Sequence, residues 1–155
     1  MSNTPPWVYV EDLAAHDGKR VTISGWLAAC RSSGKLRFLQ VRDGTGTVQC
    51  VVSRADVSPE VFTDTAHIGQ ESSIRVTGTV RADPRASIGY EIATDDVALI
   101  QKTEGFPISP KEHGVGFLLD QRHLWLRSSR QHAILRVSSE VARVCRKYFD
   151  DRGFT

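Results

Sequence analysis

An aromatic ring and an amide on neighbouring predicted strands are the side chains of this sequence best suited to hold an unpaired base. Residues 31–52 alternate polar and apolar types on both sides of a glycine turn, which predicts a β-hairpin with two distinct faces. The alternation places Leu39 and Val41 inside and leaves Phe38 and Gln49 on the outer face. An exposed ring can stack on a base while an amide hydrogen-bonds to its edge.

Basic residues surround this pair. Arg31, Lys35, Arg37 and Arg42 fall within a dozen positions that contain no acid, and such a cluster can hold phosphates. Two other interpretations remain open at this point. The charges can simply keep a strand edge soluble, and a register shifted by one residue would bury Phe38 instead of exposing it.

Composition excludes several other classes of protein. The 155 residues are 40% hydrophobic and 25% charged, with a formal net charge of +2, as in soluble globular domains. No apolar run reaches membrane-spanning length and no secretory signal opens the chain, so we expect a cytoplasmic protein with no membrane partner. The three cysteines (Cys30, Cys50 and Cys145) are widely spaced, and the histidines lack ligand spacing, so we expect neither a disulfide nor a metal site.

The predicted elements follow the order of an OB-fold, a mainly β five-stranded barrel whose second and third strands commonly bind oligonucleotides. A short helix at 58–66, with Ser58 as its N-cap, separates the third strand from the fourth. Gly25 inside the first strand predicts a bulge or sharp bend. The five strands are predicted at 21–31, 36–42, 47–52, 74–81 and 90–100.

A different organisation follows the barrel. Residues 103–120 are rich in glycine and proline and predict a hinge. Residues 130–152 show the spacing of one long amphipathic helix, with Ser128 or Ser129 at its start and Gly153 placed as its terminating glycine. A single helix cannot bury its own apolar stripe. We therefore expect it to pack on the barrel, on another chain or on a domain outside this sequence.

Three stretches together resemble the N-terminal part of bacterial asparaginyl-tRNA synthetases, class II enzymes of the aspartate/asparagine/lysine subclass. The first is VTISGW at 21–26, and the second is LRFLQVRDG at 36–44 with Val-Gln at 48–49. The third, and the most specific, is PISPKEH at 107–113 with FLLDQRHLWLR at 117–127.

The resemblance implies three segments. Residues 1–102 correspond to an OB-fold anticodon-binding domain and residues 103–120 to a hinge. Residues 121–155 correspond to the beginning of a truncated α+β class II catalytic domain, with an incomplete motif 1. We therefore expect this chain to be a fragment of a longer enzyme.

The family also implies roles for individual residues. Phe38 is expected to stack on the middle anticodon base, a uridine, and Gln49 to hydrogen-bond to the edge of that base. Arg31 matches an arginine near the same nucleotides, and Glu91 resembles a glutamate near the first anticodon position. The predicted tRNA-binding set is completed by the remaining basic residues of the hairpin, Lys35, Arg37 and Arg42.

The parent enzymes join asparagine to its tRNA with ATP and magnesium, and they act as homodimers. Motif 2, motif 3 and any Gly-x-Gly-x-Gly run are absent from this sequence, so we assign no catalytic residue and expect no cofactor for the chain alone. The expected partner is the anticodon loop of an asparagine tRNA. Three alternatives stay open: a stand-alone single-strand-binding OB-fold protein, a fragment of an aspartyl enzyme, and a protein–protein interaction module.

Overall fold

The computed structural model describes residues 4–155, which form two compact units, one ending at Phe106 and the other extending from Pro107 to Thr155. The first unit contains all the strands. A 3-10 segment, Val10–His16, precedes them, and the isolated bridge between Trp7 and Thr22 ties the early chain to the first strand. The strands are β1 (Arg20–Ser33), β2 (Leu36–Arg42), β3 (Thr47–Ser53), β4 (Ser73–Ala82) and β5 (Tyr90–Gln101).

The five strands close into a barrel in the order β1-β2-β3-β5-β4, since β1 pairs with both β2 and β4. All pairings are antiparallel except that of β3 with β5, which is parallel. Helix α1 (Pro59–Asp64) lies between β3 and β4, and the Ser58 side chain caps it by accepting a hydrogen bond from the Val61 backbone N–H at 3.2 Å. The predicted OB-fold and its capped helix are therefore confirmed.

The barrel interior is filled by alternate residues of each strand, as the sequence pattern predicted. Leu39 and Val41 of β2 are buried, whereas the intervening Gln40 and the preceding Phe38 are only half-buried on the outer side. This result fixes the register of the hairpin and excludes the shifted alternative. The other strands add the buried side chains of Val21, Ile23, Leu27, Val48, Cys50, Val52, Ile74, Val76, Val80 and Ile92.

Gly25 lies where β1 passes close to the end of β2. A Cβ at this position would lie 2.4 Å from the carbonyl oxygen of Arg42, so the glycine allows β1 to cross close to the end of β2. The irregularity in the β1–β2 pairing lies a little further on, between Leu27 and Ala29. The irregular pairing therefore begins two positions after Gly25, at which the sequence predicted a bulge or a sharp bend.

The second unit is helical. A long helix, α4 (Ser129–Asp150), follows two short ones, α2 (Val115–Asp120) and α3 (Arg122–Trp125), and α2 falls inside the segment expected to be a hinge. The long helix ends as predicted. Gly153 has a φ of 77° and donates to the Asp150 carbonyl at 3.0 Å, while Phe154 donates to the Phe149 carbonyl at 3.2 Å, the pattern of a Schellman motif.

Helix α4 buries none of its residues within the described chain. Its apolar face, which includes Val137, Val141 and Val144, is more than half exposed. Ser128 holds the N-cap position by its extended backbone, but its side chain makes no capping hydrogen bond. The amphipathic helix is thus present with its apolar face uncovered.

Candidate nucleic-acid interface

A ladder of three polar side chains crosses the outer face of β2, β3 and β5. Gln40 pairs directly with Gln49, and Gln49 pairs directly with Glu91. The Gln40 Nε2 atom donates to Gln49 Oε1 at 3.4 Å, and Gln49 Nε2 donates to Glu91 Oε2 at 3.3 Å. Both hydrogen bonds are long. They use one N–H and one lone pair of the Gln49 amide, so one N–H and one lone pair stay available for another partner.

Phe38 lies one row away from this ladder on the same face. It pairs with Val51 across β2–β3, so Gln49 is its diagonal neighbour, a geometry with a separation of about 7–8 Å that aromatic and amide side chains can bridge. The structure thus brings the predicted stacking ring and the predicted base-reading amide together.

Arg31 covers one side of the Phe38 ring. The two residues are directly paired across β1–β2, and the guanidinium carbon lies 4.6 Å from the ring centroid. This cation–π contact at a partly exposed position is worth about 0.5–1 kcal/mol. A base that stacks on Phe38 therefore uses the other side of the ring or displaces the guanidinium, which then becomes available to a phosphate.

Two exposed basic residues are neighbours at the open end of the β2–β3 hairpin, where β2 begins and β3 ends. The turn joining β1 to β2 has only two residues, Gly34 with a φ of 59° and Lys35. Arg54 follows β3 and donates its backbone N–H to the Lys35 carbonyl at 2.9 Å. Both side chains are exposed. Sequence reasoning identified Lys35 but missed Arg54, because only the β2–β3 pairing brings the two together.

The structure does not bring Arg37 to this face. Arg37 alternates with Phe38 and so points to the same side as Leu39, where its guanidinium carbon lies 4.5 Å from the Phe62 ring of α1. Its Nε is buried and has no hydrogen-bond partner among the described residues. Arg37 packs the helix against the barrel and is displaced from the predicted phosphate-binding cluster.

Arg42 is on the outer side, but its charge is already compensated. Its guanidinium donates to the carboxylate of Glu71 at 2.7 Å, and the Glu71 side chain is only 5% exposed. Glu71 has a φ of 63°, a backbone conformation unusual for a residue with a side chain, so the surrounding structure fixes its position. This ion pair gives Arg42 a structural role beside the face.

The loop between β4 and β5 borders the opposite side of the face and carries one acidic and one basic side chain, which pair with each other. Arg85 donates to both carboxylate oxygens of Asp83, and these hydrogen bonds hold the pKa of the Asp83 carboxyl below its usual value. Arg81 pairs directly with Glu91 across β4–β5. In OB-folds the β1–β2 and β4–β5 loops flank the nucleic-acid-binding strands. The sequence pattern did not single out Arg81 or Arg85.

The described residues provide few features for other chemistry. Among residues 4–155, no group of three or more His, Cys, Asp or Glu side chains is placed to hold a metal ion. No helix in the same range is long and apolar enough to cross a membrane. The Cys50 thiol is buried in the core, and burial raises its pKa. A cavity of about 460 Å³ borders Trp7, Thr22 and Arg75, away from the ladder.

Comparisons with known proteins agree with this geometry. A family model described as an OB-fold nucleic acid binding domain, of the tRNA anticodon type, matches residues 21–100. The asparagine–tRNA ligase of Sorangium cellulosum (strain So ce56) is 53% identical over 151 residues, which cover 97% of this chain and 34% of the relative. The corresponding ligase of Herpetosiphon aurantiacus is 44% identical, with 96% and 33% covered.

A solved structure supports the same relationship. The crystal structure of asparaginyl-tRNA synthetase from Pyrococcus horikoshii complexed with asparaginyl-adenylate superposes with a TM-score of 0.87 at 35% identity, and covers 99% of this chain and 35% of that protein. The chain spans about a third of the length of each of these relatives. The family model matches just over half of the chain, and the chain therefore belongs to the tRNA anticodon-binding family of OB-fold nucleic acid binding domains.

Proposed function

We propose that this chain is the anticodon-recognition part of an asparagine–tRNA ligase and that its outer β2–β3 face binds the anticodon loop of an asparagine tRNA. The observation that carries the proposal is the diagonal placement of Phe38 and Gln49 on one exposed face. Stacking on an aromatic ring combined with hydrogen bonds to a base edge is the usual way in which proteins read unpaired RNA bases.

Each residue of the face then has a role. Phe38 stacks on the middle anticodon base, a uridine, and Gln49 hydrogen-bonds to its edge. Glu91 approaches the first anticodon position, and Arg31 contacts phosphates near the same nucleotides. Lys35 contacts phosphates at the hairpin end, where the exposed Arg54 joins it. Arg37 and Arg42 support the fold instead, because α1 and Glu71 occupy their guanidinium groups.

The activity of the longer protein is part of the same proposal. The named relatives are asparagine–tRNA ligases, so the parent reaction joins asparagine to its tRNA, with ATP and magnesium held by parts of the enzyme outside this sequence. Residues 1–102 form the anticodon-binding domain, 103–120 the hinge that includes α2, and 121–155 the start of the catalytic domain. We infer a homodimeric, cytoplasmic parent enzyme.

Binding to single-base variants of one tRNA tests the proposal. Fluorescence anisotropy would compare this chain with an asparagine tRNA transcript and with the same transcript changed only at the middle anticodon base. Loss of the stacking ring in Phe38→Ala is expected to weaken binding to the unchanged transcript by about 5- to 150-fold, since stacking contributes ~1–3 kcal/mol per base. The base change is expected to weaken binding of the unmodified protein comparably.

A matched control is available on another part of the barrel unit. Tyr9 is 42% exposed and packs edge-on against Trp7, outside the hairpin, so Tyr9→Ala removes an exposed aromatic ring without touching the proposed face. It should bind like the unmodified protein. Equal affinity in every combination would refute base recognition by Phe38. Equal affinity for unrelated single-stranded oligonucleotides would favour a stand-alone single-strand-binding protein, and equal affinity for an aspartate tRNA would favour the aspartyl alternative.

A further inference from the structure

We propose that Glu91 is a positioning residue that fixes the side-chain amide of Gln49 in one orientation, and that this orientation lets Gln49 distinguish uracil from cytosine. The inference rests on the proposed function, because it concerns the base that stacks on Phe38. It gives Glu91 a role in the choice of the middle anticodon base, in addition to its proposed approach to the first anticodon position.

The Glu91 carboxylate at the end of the ladder determines in which direction the hydrogen bonds run from donor to acceptor. An ionised carboxylate only accepts hydrogen bonds, whereas an amide both donates and accepts. With Glu91 Oε2 at 3.3 Å, Gln49 must direct its NH₂ group toward β5 and its carbonyl oxygen toward β2. Rotating the amide by half a turn would place that oxygen against the carboxylate, which is repulsive.

Gln40, on the other side of Gln49, cannot impose a direction. Its own amide presents either NH₂ or a carbonyl oxygen after a half-turn about its terminal bond, so it adapts to whichever atom Gln49 offers. The 3.4 Å contact from Gln40 Nε2 to Gln49 Oε1 is therefore a consequence of the orientation that Glu91 sets. The two neighbours of Gln49 thus differ in what they determine.

The fixed orientation has a consequence for base choice. Uracil presents the N3–H donor beside the O4 acceptor, and cytosine presents the N3 acceptor beside the N4 amino donor. The remaining N–H and lone pair of Gln49 match one of these two edges in a given amide orientation and oppose the other. An amide that is free to rotate would accept both bases. A Gln49 side chain without a fixed orientation would therefore not distinguish uracil from cytosine.

Two substitutions separate the roles of the neighbours. Glu91→Gln keeps the length of the side chain but lets the ladder run in either direction. Gln40→Leu removes one neighbour of Gln49 and leaves the acceptor at Glu91 in place. Each variant would be titrated with two asparagine tRNA transcripts that carry U or C at the middle anticodon position and share the same first base, so that any contact of Glu91 with the first base cancels in the ratio.

The measured quantity is the ratio of affinities for the U and C transcripts. In Glu91→Gln we expect this ratio to fall by about fivefold or more, within the discrimination that a bidentate amide contact supplies. In Gln40→Leu it should stay within about twofold of the unmodified protein. An NMR spectrum of the free protein gives a second readout, since the side-chain N–H signals of Gln49 should shift or broaden in Glu91→Gln.

The outcomes distinguish failure of this inference from failure of the proposed function. If the unmodified chain prefers U over C and Glu91→Gln retains that preference, the inference is overturned and the proposed function stands. An equal loss in both variants would also overturn it, since the ladder would then act as a unit. If the unmodified chain shows no preference and Phe38→Ala binds normally, the proposed function fails and the inference fails with it.

Discussion

Removing basic side chains of the hairpin one at a time should change the salt dependence of RNA binding for two of them and leave it unchanged for the other two. Arg31 and Lys35 are exposed beside or near Phe38. Arg37 faces α1 on the opposite side of the sheet, and Arg42 is paired with Glu71. The four charges are close in sequence, but only Arg31 and Lys35 are exposed.

The release of counterions from the RNA determines how much each substitution changes the salt dependence of binding. Each phosphate neutralised on a single strand contributes about 0.7 to the slope of log affinity against log salt concentration. Arg31→Ala and Lys35→Ala should each reduce that slope by about 0.7. When salt is raised from about 50 to about 200 mM, the affinity of each variant should then fall by a factor roughly 2.6 times smaller than that of the unmodified protein. Arg37→Ala and Arg42→Ala should keep the slope of the unmodified protein, even where their lower stability reduces the folded fraction.

The assay is a set of anisotropy titrations of the asparagine tRNA transcript at four or more salt concentrations for each variant. Thermal unfolding of the same samples identifies the fraction that is folded. A reduced slope in Arg37→Ala comparable with that in Arg31→Ala would refute the division of the cluster by face. An unchanged slope in both Arg31→Ala and Lys35→Ala would show that the backbone of the RNA lies elsewhere.

Other consequences of the structure can be measured on the isolated chain. Gly78→Ala should lower the free energy of unfolding in urea by about 1–3 kcal/mol, because its Cβ would lie 2.2 Å from a carbonyl oxygen of β5; an unchanged midpoint would contradict this. Glu71→Gln should lower the free energy of unfolding by about 1–3 kcal/mol. This is less than the roughly 3–5 kcal/mol lost when a fully buried ion pair is broken, since Arg42 keeps contact with water. The Cys50 thiol should resist a thiol reagent at neutral pH until denaturant is added, since burial raises its pKa, whereas the two exposed cysteines react; three fast thiols in the native protein would refute this. Gly153→Ala should fray the end of α4, seen as faster amide exchange there, because a side chain at φ 77° is strained.

The hairpin was predictable from sequence because burial of one face couples directly to the two-residue period of a strand. From Phe38 to Arg42 of β2, buried and half-buried residues alternate with that period. The same rule already places Arg37 on the inner side. Grouping Arg37 with the other basic residues of the hairpin gave more weight to nearness in sequence than to the direction of the side chain.

Contacts between distant strands were harder to predict. The link from Gln49 to Glu91 spans 42 positions and depends on the parallel pairing of β3 with β5. Strand β5 buries only Ile92 and Thr94, so its alternation is weak and its register could not be read from the pattern. Arg54 was missed for a similar reason, since it lies beyond the end of β3 and only pairing brings it to the turn.

Helix α2 lies inside the segment that the sequence predicted to be a hinge. Five of the fourteen residues at 103–116 are glycine or proline, and they mask the short apolar run that forms α2 (Val115–Asp120). Six residues show too little of a helical period to be distinguished from a loop, and α3 is shorter still. The long helix α4 was predicted within two residues at either end because it contains several full turns and a glycine that terminates it.

The parallel β3–β5 pairing also determines the order in which the proposed binding face can be assembled during folding. Gln40 and Gln49 are 9 positions apart on one hairpin, a unit that forms on a time scale of about 1–10 μs. Glu91 reaches Gln49 only when a loop of 42 positions closes, a slower event with a larger entropy cost. The ring and the amide of the proposed face therefore belong to one local hairpin, whereas the carboxylate joins them only when β5 pairs with β3.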